Sequence, residues 1–293
     1  MIADANIANS SPRDTRRVWL PLSVRKNAGS ILIDWMQVHS LDFTQPYFAQ
    51  SIEHFAAKYP NAPRMTTPIS GLLRKCEETK RDPLACLGGL IFHVPRSRST
   101  LLTQMLMSKP RILALSEPTP INDLLFLHLS GETQPPDSTA AALRALTIAL
   151  CEMRASKSTR VVLKFTSWNA IASDVIAKAF PNTPVVLLTR EAAYVEQELS
   201  EFPAPWQKDK NLQRILDSLL ASPGTRGLID NIATSVKRHF PLRTNVFSAD
   251  QLPDVVWTRI AGHFGFRLSK ADVARMTSRS NYHSKFPNQR FPR

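Results

Sequence analysis

Apolar and polar residues follow one another along this chain in blocks, and each block has its own period. Residues 87–94 (LGGLIFHV) form a short apolar run closed by Pro95, the pattern of a strand buried on both faces. Residues 99–107 follow with helical spacing, placing Leu101, Leu102, Met105 and Leu106 on one side. Residues 111–115 (RILAL), 161–165 (VVLKF), 185–189 (VVLLT) and 244–248 (TNVFS) predict further short strands. Helical periods cover 140–153, 168–180 and 212–220 between them. This alternation predicts an α/β fold, a mainly parallel sheet flanked by helices. The stretches GETQPPD (131–137) and FPAPW (202–206) interrupt it as loops.

Upstream, residues 1–15 are polar and predict a flexible tail. Residues 16–293 then predict a single domain. Its first part, 16–86, reads as a helical N-terminal layer, with Ile31, Ile33, Trp35 and Met36 in one apolar stretch and Phe43, Tyr47, Phe48, Ile52 and Phe55 in another. Residues 87–293 form the α/β core.

With 293 residues, 43% of them hydrophobic, the chain has enough apolar surface to bury a large core. Its formal net charge of +13 favours anionic ligands, nucleotides among them. No apolar run is long enough for a membrane span, and the first thirty residues lack a secretory core, so no membrane association and a cytoplasmic location are expected. Cys76, Cys86 and Cys151 are odd in number and not spaced as a metal knuckle, which fits reduced thiols; no metal requirement is expected.

The chemistry concentrates in His93-Val94-Pro95-Arg96-Ser97-Arg98-Ser99-Thr100, between the first core strand and its helix. A helix N-terminus offers free backbone N–H groups and the positive end of the helix dipole to an anion. Ser97, Ser99 and Thr100 add hydroxyls, and Arg96 adds a planar fork for phosphate or sulfate oxygens. The ATPase loop G-x-x-x-x-G-K-[ST] would need glycine at 93 and 98 and lysine at 99, where His93, Arg98 and Ser99 stand.

Pro95-Arg96-Ser97-Arg98-Ser99-Thr100 resembles the first motif of the sulfotransferase superfamily, P-[KR]-S-G-T, with Arg98 in place of the glycine. Residues 180–190 (FPNTPVVLLTR) are similar to that family's second motif, a strand ending in arginine. Residues 247–252 (FSADQL) and 262–266 (GHFGF) resemble its later segments. The resemblance implies a P-loop-like sulfotransferase fold and, as donor, 3′-phosphoadenosine 5′-phosphosulfate, leaving adenosine 3′,5′-bisphosphate. It further implies that Arg96, Ser97, Arg98, Ser99 and Thr100 bind the donor, that Arg190 binds its 3′-phosphate, and that Lys285 lies near the nucleotide. Glu198 stands where the family has a serine, with Ser200 as the nearest hydroxyl.

In-line sulfuryl transfer builds charge on the leaving oxygen, so Arg96 and Lys164 are the expected stabilisers, each donor contributing ~3 kcal/mol. Lys164 ends an apolar strand, where open α/β sheets place ligand-contacting residues. The acceptor must lose a proton. Glu117, in Leu115-Ser116-Glu117-Pro118, is the expected base, with His93 and His128 as alternatives. The acceptor is expected to be a small molecule or carrier-bound. No nucleic-acid partner is expected, since no aromatic–basic recognition motif accompanies the arginine-rich stretches 275–279 and 290–293. A P-loop kinase and a sulfotransferase-like protein with a repurposed or lost donor site remain the alternatives.

Overall fold

The computed structural model describes residues 16–39, 41, 43, 45–78, 84–133, 135–154, 156–282, 284 and 289. The tail 1–15, Lys285 and the basic stretch 290–293 lie outside the described residues.

The N-terminal layer corrects the all-helical expectation. Strands β1 (Val18–Asn27) and β2 (Ser30–Val38) form an antiparallel hairpin, and β3 (Arg64–Pro68) pairs antiparallel with β2. Ala28 and Gly29, both at positive φ (45° and 79°), make the two-residue turn whose twist suits a hairpin. Ile31, Ile33 and Trp35 recur every second residue, a strand period; Met36 beside them makes the run look helical. Helix α1 (Phe48–Lys58) falls in the second apolar stretch as expected, and α2 (Ile69–Glu77) follows β3. On the outer face Asp34 accepts hydrogen bonds from Arg25, Ser23 and Thr66, tying all three strands together.

The core follows the predicted alternation. It runs β4 (Leu87–His93), α3 (Ser99–Met107), β5 (Ile112–Ser116), α4 (Thr119–Leu129), α5 (Pro136–Cys151), β6 (Arg160–Lys164), a 3-10 turn at Ser167–Ala172, and α6 (Ser173–Ala179). Then come β7 (Val185–Thr189), α7 (Ala192–Glu201), α8 (Lys210–Leu219), α9 (Gly224–His239) and β8 (Thr244–Ser248). A π-helical turn at Val256–Ile260 runs into α10 (Ala261–His263), and α11 (Lys270–Ser280) closes the described core. The five core strands are all parallel, in the order β5-β6-β4-β7-β8. Every residue of the central β4 is buried.

Alternate β4 residues face opposite layers. Leu90 and Phe92 join the cluster formed with α4, α5, α9 and the N-terminal sheet, whereas Ile91 joins the one formed with α3, Phe264 and Met276. The N-terminal sheet is therefore packed into the same apolar cluster as one face of the core. Gly89 permits the second packing: a Cβ there would meet the Phe264 ring at 2.2 Å.

From β4 the chain crosses to the edge strand β5 and returns to fill the gap with β6, then moves to the other side of β4 through β7 and β8. Such a reversal opens a crevice at the carboxyl ends of the strands, where ligands bind in open α/β sheets. His93, Glu117, Lys164 and Arg190 all lie at these strand ends.

Candidate active site

The loop between β4 and α3 departs from ordinary backbone geometry at two arginines. Arg96 and Arg98 have φ of 60° and 61°, the left-handed region in which a Cβ is disfavoured, at a cost of roughly 1 kcal/mol each. Arg98, the residue preceding α3, occupies the position where the resembled motif carries glycine. The conformation that glycine adopts freely is kept here despite a side chain. No side chain caps α3. Ser97, Ser99 and Thr100 are buried around this helix end, and Ser97 Oγ and Arg96 Nε are buried without hydrogen-bond partners in the protein. Buried polar groups are ordinarily paired, so orphaned donors beside an uncapped helix N-terminus mark a place built for an anion.

Neighbouring elements brace the loop. Arg190, just past β7, donates through Nη1 to the Arg96 carbonyl at 2.9 Å, and its guanidinium lies 3.5 Å from the centre of the Tyr194 ring. Tyr194 in turn donates to Glu198 Oε1 at 3.1 Å. Glu198 thus orients the ring under Arg190. Ser200 donates to the Gln197 carbonyl. Arg98 Nη1 donates to the Leu252 carbonyl at 3.3 Å; burial and then the Arg190 charge lower its pKa. Arg96 donates to the Phe202 carbonyl, so the FPAPW segment latches over the loop.

The second half of the site lies one strand away. Ser116 and Lys164 are register partners on β5 and β6, and the Glu117 N–H donates to the Lys164 carbonyl at 2.8 Å, which sets the two side chains together. Lys164 is fully buried; its ammonium donates to Glu117 Oε1 and, at 3.3 Å, to Ser116 Oγ. Thr166 Oγ1 lies 3.4 Å from Glu117 Oε2 and 3.0 Å from Asn122 Oδ1, and Asn122 donates to the Glu117 carbonyl. Glu117 keeps 22% of its side chain exposed. Burial opposes its ionisation, but the charge and hydrogen bond of Lys164, with the Thr166 hydrogen bond, outweigh that and hold its pKa below the usual carboxylate range.

His93 bonds through Nδ1 to the Val94 carbonyl at 3.0 Å, so Nδ1 carries the proton and Nε2, 3.9 Å from Glu117 Oε1, is the bare nitrogen. Burial and the Lys164 charge lower its pKa to about 4, against the opposing pull of Glu117, so it is neutral at physiological pH. His128 is excluded as the base by position: it sits at the far end of α4 from Glu117 and contacts Thr133 and Thr139.

The fold thus brings together the residues singled out, except His128, which lies at the far end of α4, and Lys285, which lies outside the described residues. Arg96, Ser97, Arg98, Ser99, Thr100 and Arg190 surround the loop, and Glu117 and Lys164 sit beside it. Tyr47, Asn122 and Thr166 were not foreseen as site residues. Tyr47 comes from the N-terminal layer, and its ring centre lies 5.4 Å from Lys164 Nζ. No local motif marks it. Thr166 and Asn122 act through side-chain pairing across elements, which no spacing rule registers.

No protein-family model and no curated protein matches the chain. Among solved structures, the sulfotransferase STF9 from Mycobacterium avium is similar at a TM-score of 0.48 and 13% identity, covering 72% of this chain and 71% of that one. A sulfotransferase from Alicyclobacillus acidocaldarius is similar at a TM-score of 0.39 and 12% identity, covering 64% of this chain and 94% of that one. At these values neither likeness carries an argument about this chain's chemistry.

Proposed function

We propose that the chain is a sulfotransferase that moves a sulfuryl group from 3′-phosphoadenosine 5′-phosphosulfate to a hydroxyl or amine of a small or carrier-bound acceptor. The observation that carries the reading is the juxtaposition of two unlike halves. One is an anion cradle with buried, unpartnered donors at Ser97 and Arg96; the other is a carboxylate held ionised by a buried lysine. The orphaned donors fit the phosphosulfate end of such a nucleotide, and Arg190, braced on Tyr194, fits its 3′-phosphate.

The donor supplies a sulfuryl group on a phosphate leaving group: a bond forms from the acceptor atom to sulfur, the sulfur–oxygen bond to phosphate breaks, and adenosine 3′,5′-bisphosphate departs. Arg96 and the N–H groups opening α3 stabilise charge on the departing oxygen. Glu117 takes the acceptor's proton and releases it to solvent. Lys164 was expected among the groups that stabilise the transferring sulfuryl and the leaving phosphate. Its bonds to Glu117 and Ser116 give it the prior task of fixing the base. That same bond disfavours the kinase alternative, in which a carboxylate beside the loop would hold magnesium: Glu117 already spends its charge on Lys164.

The test is calorimetric titration with adenosine 3′,5′-bisphosphate and with ATP, for the unaltered chain and the Arg96→Ala and Arg190→Ala variants. Metal-independent binding of the bisphosphate, weakened at least about tenfold in each variant, is expected. A preference for magnesium-bound ATP, or no binding of either nucleotide, refutes the proposal.

A further inference from the structure

Lys164 is an ammonium with three N–H groups and two conventional partners, Glu117 and Ser116, yet it is fully buried. Its ammonium also lies over the ring of Tyr47, 5.4 Å from the ring centre and within the reach of a cation–π contact. Tyr47 is presented by the N-terminal layer, immediately before α1. Gln104 of α3 reinforces the approach by donating to the Gln45 carbonyl at 3.4 Å, and Arg279 of α11 donates to Gln104 Oε1 at 3.0 and 3.2 Å. Tyr47 therefore sets its ring on the lysine that fixes the base, in a segment tied to α3 through Gln104.

We infer that Tyr47 is a positioning residue of the reaction: its ring holds Lys164 against Glu117, so the N-terminal layer completes the acceptor side of a site otherwise built by the parallel sheet. The inference rests on the proposed function for its catalytic consequence, but the Tyr47–Lys164–Glu117 contact stands on geometry alone. Four charged or titratable groups face Tyr47 or the lysine it covers: Glu117 and Lys164 from the strand ends, Arg96 from the loop, and His93 from β4. Without the ring, water reaches the ammonium, the ion pair loosens, and Glu117 gives up part of the interaction that keeps it ionised against burial.

The experiment compares Tyr47→Phe, which keeps the ring, with Tyr47→Leu, which removes it. Release of adenosine 3′,5′-bisphosphate from the donor is followed with 4-nitrophenol as acceptor probe, or with water where the phenol is not taken. For Tyr47→Leu, kcat is expected to fall about tenfold with the donor KM within about twofold, and the acidic limb of the pH–rate profile to move to higher pH. Tyr47→Phe is expected to stay within about threefold of the unaltered chain. An unmoved acidic limb in Tyr47→Leu overturns the inference, and so does a Phe variant as impaired as the Leu variant. If the unaltered chain neither binds the bisphosphate nor releases it from the donor, the functional reading has failed. The contact is then judged by a urea-unfolding cycle of Tyr47→Leu and Lys164→Met: non-additive midpoint changes uphold it, additive ones overturn it.

Discussion

Replacing Lys164 with methionine removes a fully buried ammonium while nearly conserving the volume of its stem, and leaves Glu117, 22% exposed, without its main partner. Two unit charges about 4 Å apart attract by about 4 kcal/mol at an effective dielectric near 20. Removing one member of a buried pair costs about 3–5 kcal/mol, because the other charge stays behind uncompensated. The Thr166 hydrogen bond and the partial exposure of Glu117 place the expected loss near the lower end, about 3 kcal/mol for Lys164→Met at pH 7.5. The double variant Lys164→Met/Glu117→Gln is expected to recover much of that loss, since no charge remains buried.

The pH dependence fixes the sign. In the unaltered chain the Glu117 pKa is depressed, so its contribution is present above the unfolded-state value and lost as pH falls through the folded one. In Lys164→Met, burial is opposed mainly by the weaker Thr166 hydrogen bond, and the Glu117 pKa is expected to rise. Stability of this variant is then greatest in mild acid and falls as pH rises from about 5 to 8, the reverse slope. Urea unfolding of the four chains of the cycle at pH 5, 6.5 and 8 reads both quantities. A coupling below about 0.5 kcal/mol, or parallel pH slopes for the unaltered chain and Lys164→Met, would refute the assignment of Lys164 as the charge that holds Glu117.

Further predictions concern the scaffold. Gly89→Ala sets a Cβ 2.2 Å from the Phe264 ring, and overpacking there is expected to cost about 1–3 kcal/mol, seen as a lower urea midpoint; an unchanged midpoint would mean the ring moves freely. Asp123 on α4 accepts the Val24 N–H at 2.9 Å, joining the N-terminal sheet to the core, and burial, only partly offset by that bond, raises its pKa to about 6. The stability it gives is full below the unfolded-state pKa and lost as pH rises through about 6, so Asp123→Asn is expected to be the more stable form at pH 8, by about 2 kcal/mol, with the advantage vanishing near pH 4. Equal pH slopes for the two chains would refute this. Asp272 is bonded by the Ser269 N–H, Lys109 and Arg275; the Ser269 N–H and Lys109 depress its pKa, and Lys109, just past α3, ties α11 to the end of that helix. Asp272→Ala is expected to cost about 2 kcal/mol and to speed proteolysis within α11; cleavage at the unaltered rate would show that the helix is held by its apolar face instead.

The sequence by itself determined the parallel core. Strands buried on both faces leave short apolar runs, and the helices between them leave a period near 3.6, so the five core strands and α3 emerge within a residue or so of their observed bounds. It also determined most of the loop chemistry, since a strand, a hydroxyl-rich turn and a helix are contiguous in the chain. The N-terminal layer misled because Ile31, Ile33 and Trp35 follow a strand period while Met36 and Val38, on the opposite face, are buried as well, erasing the polar face that identifies an amphipathic strand. Tertiary structure alone decided the pairing of Glu117 with Lys164, 47 positions apart, and the arrival of Tyr47 over that pair. Strand order in a parallel sheet and the docking of a separate antiparallel layer are set by packing between distant segments. Local spacing carries no record of them, and they are what set Glu117, Lys164 and Tyr47 beside the loop that opens α3.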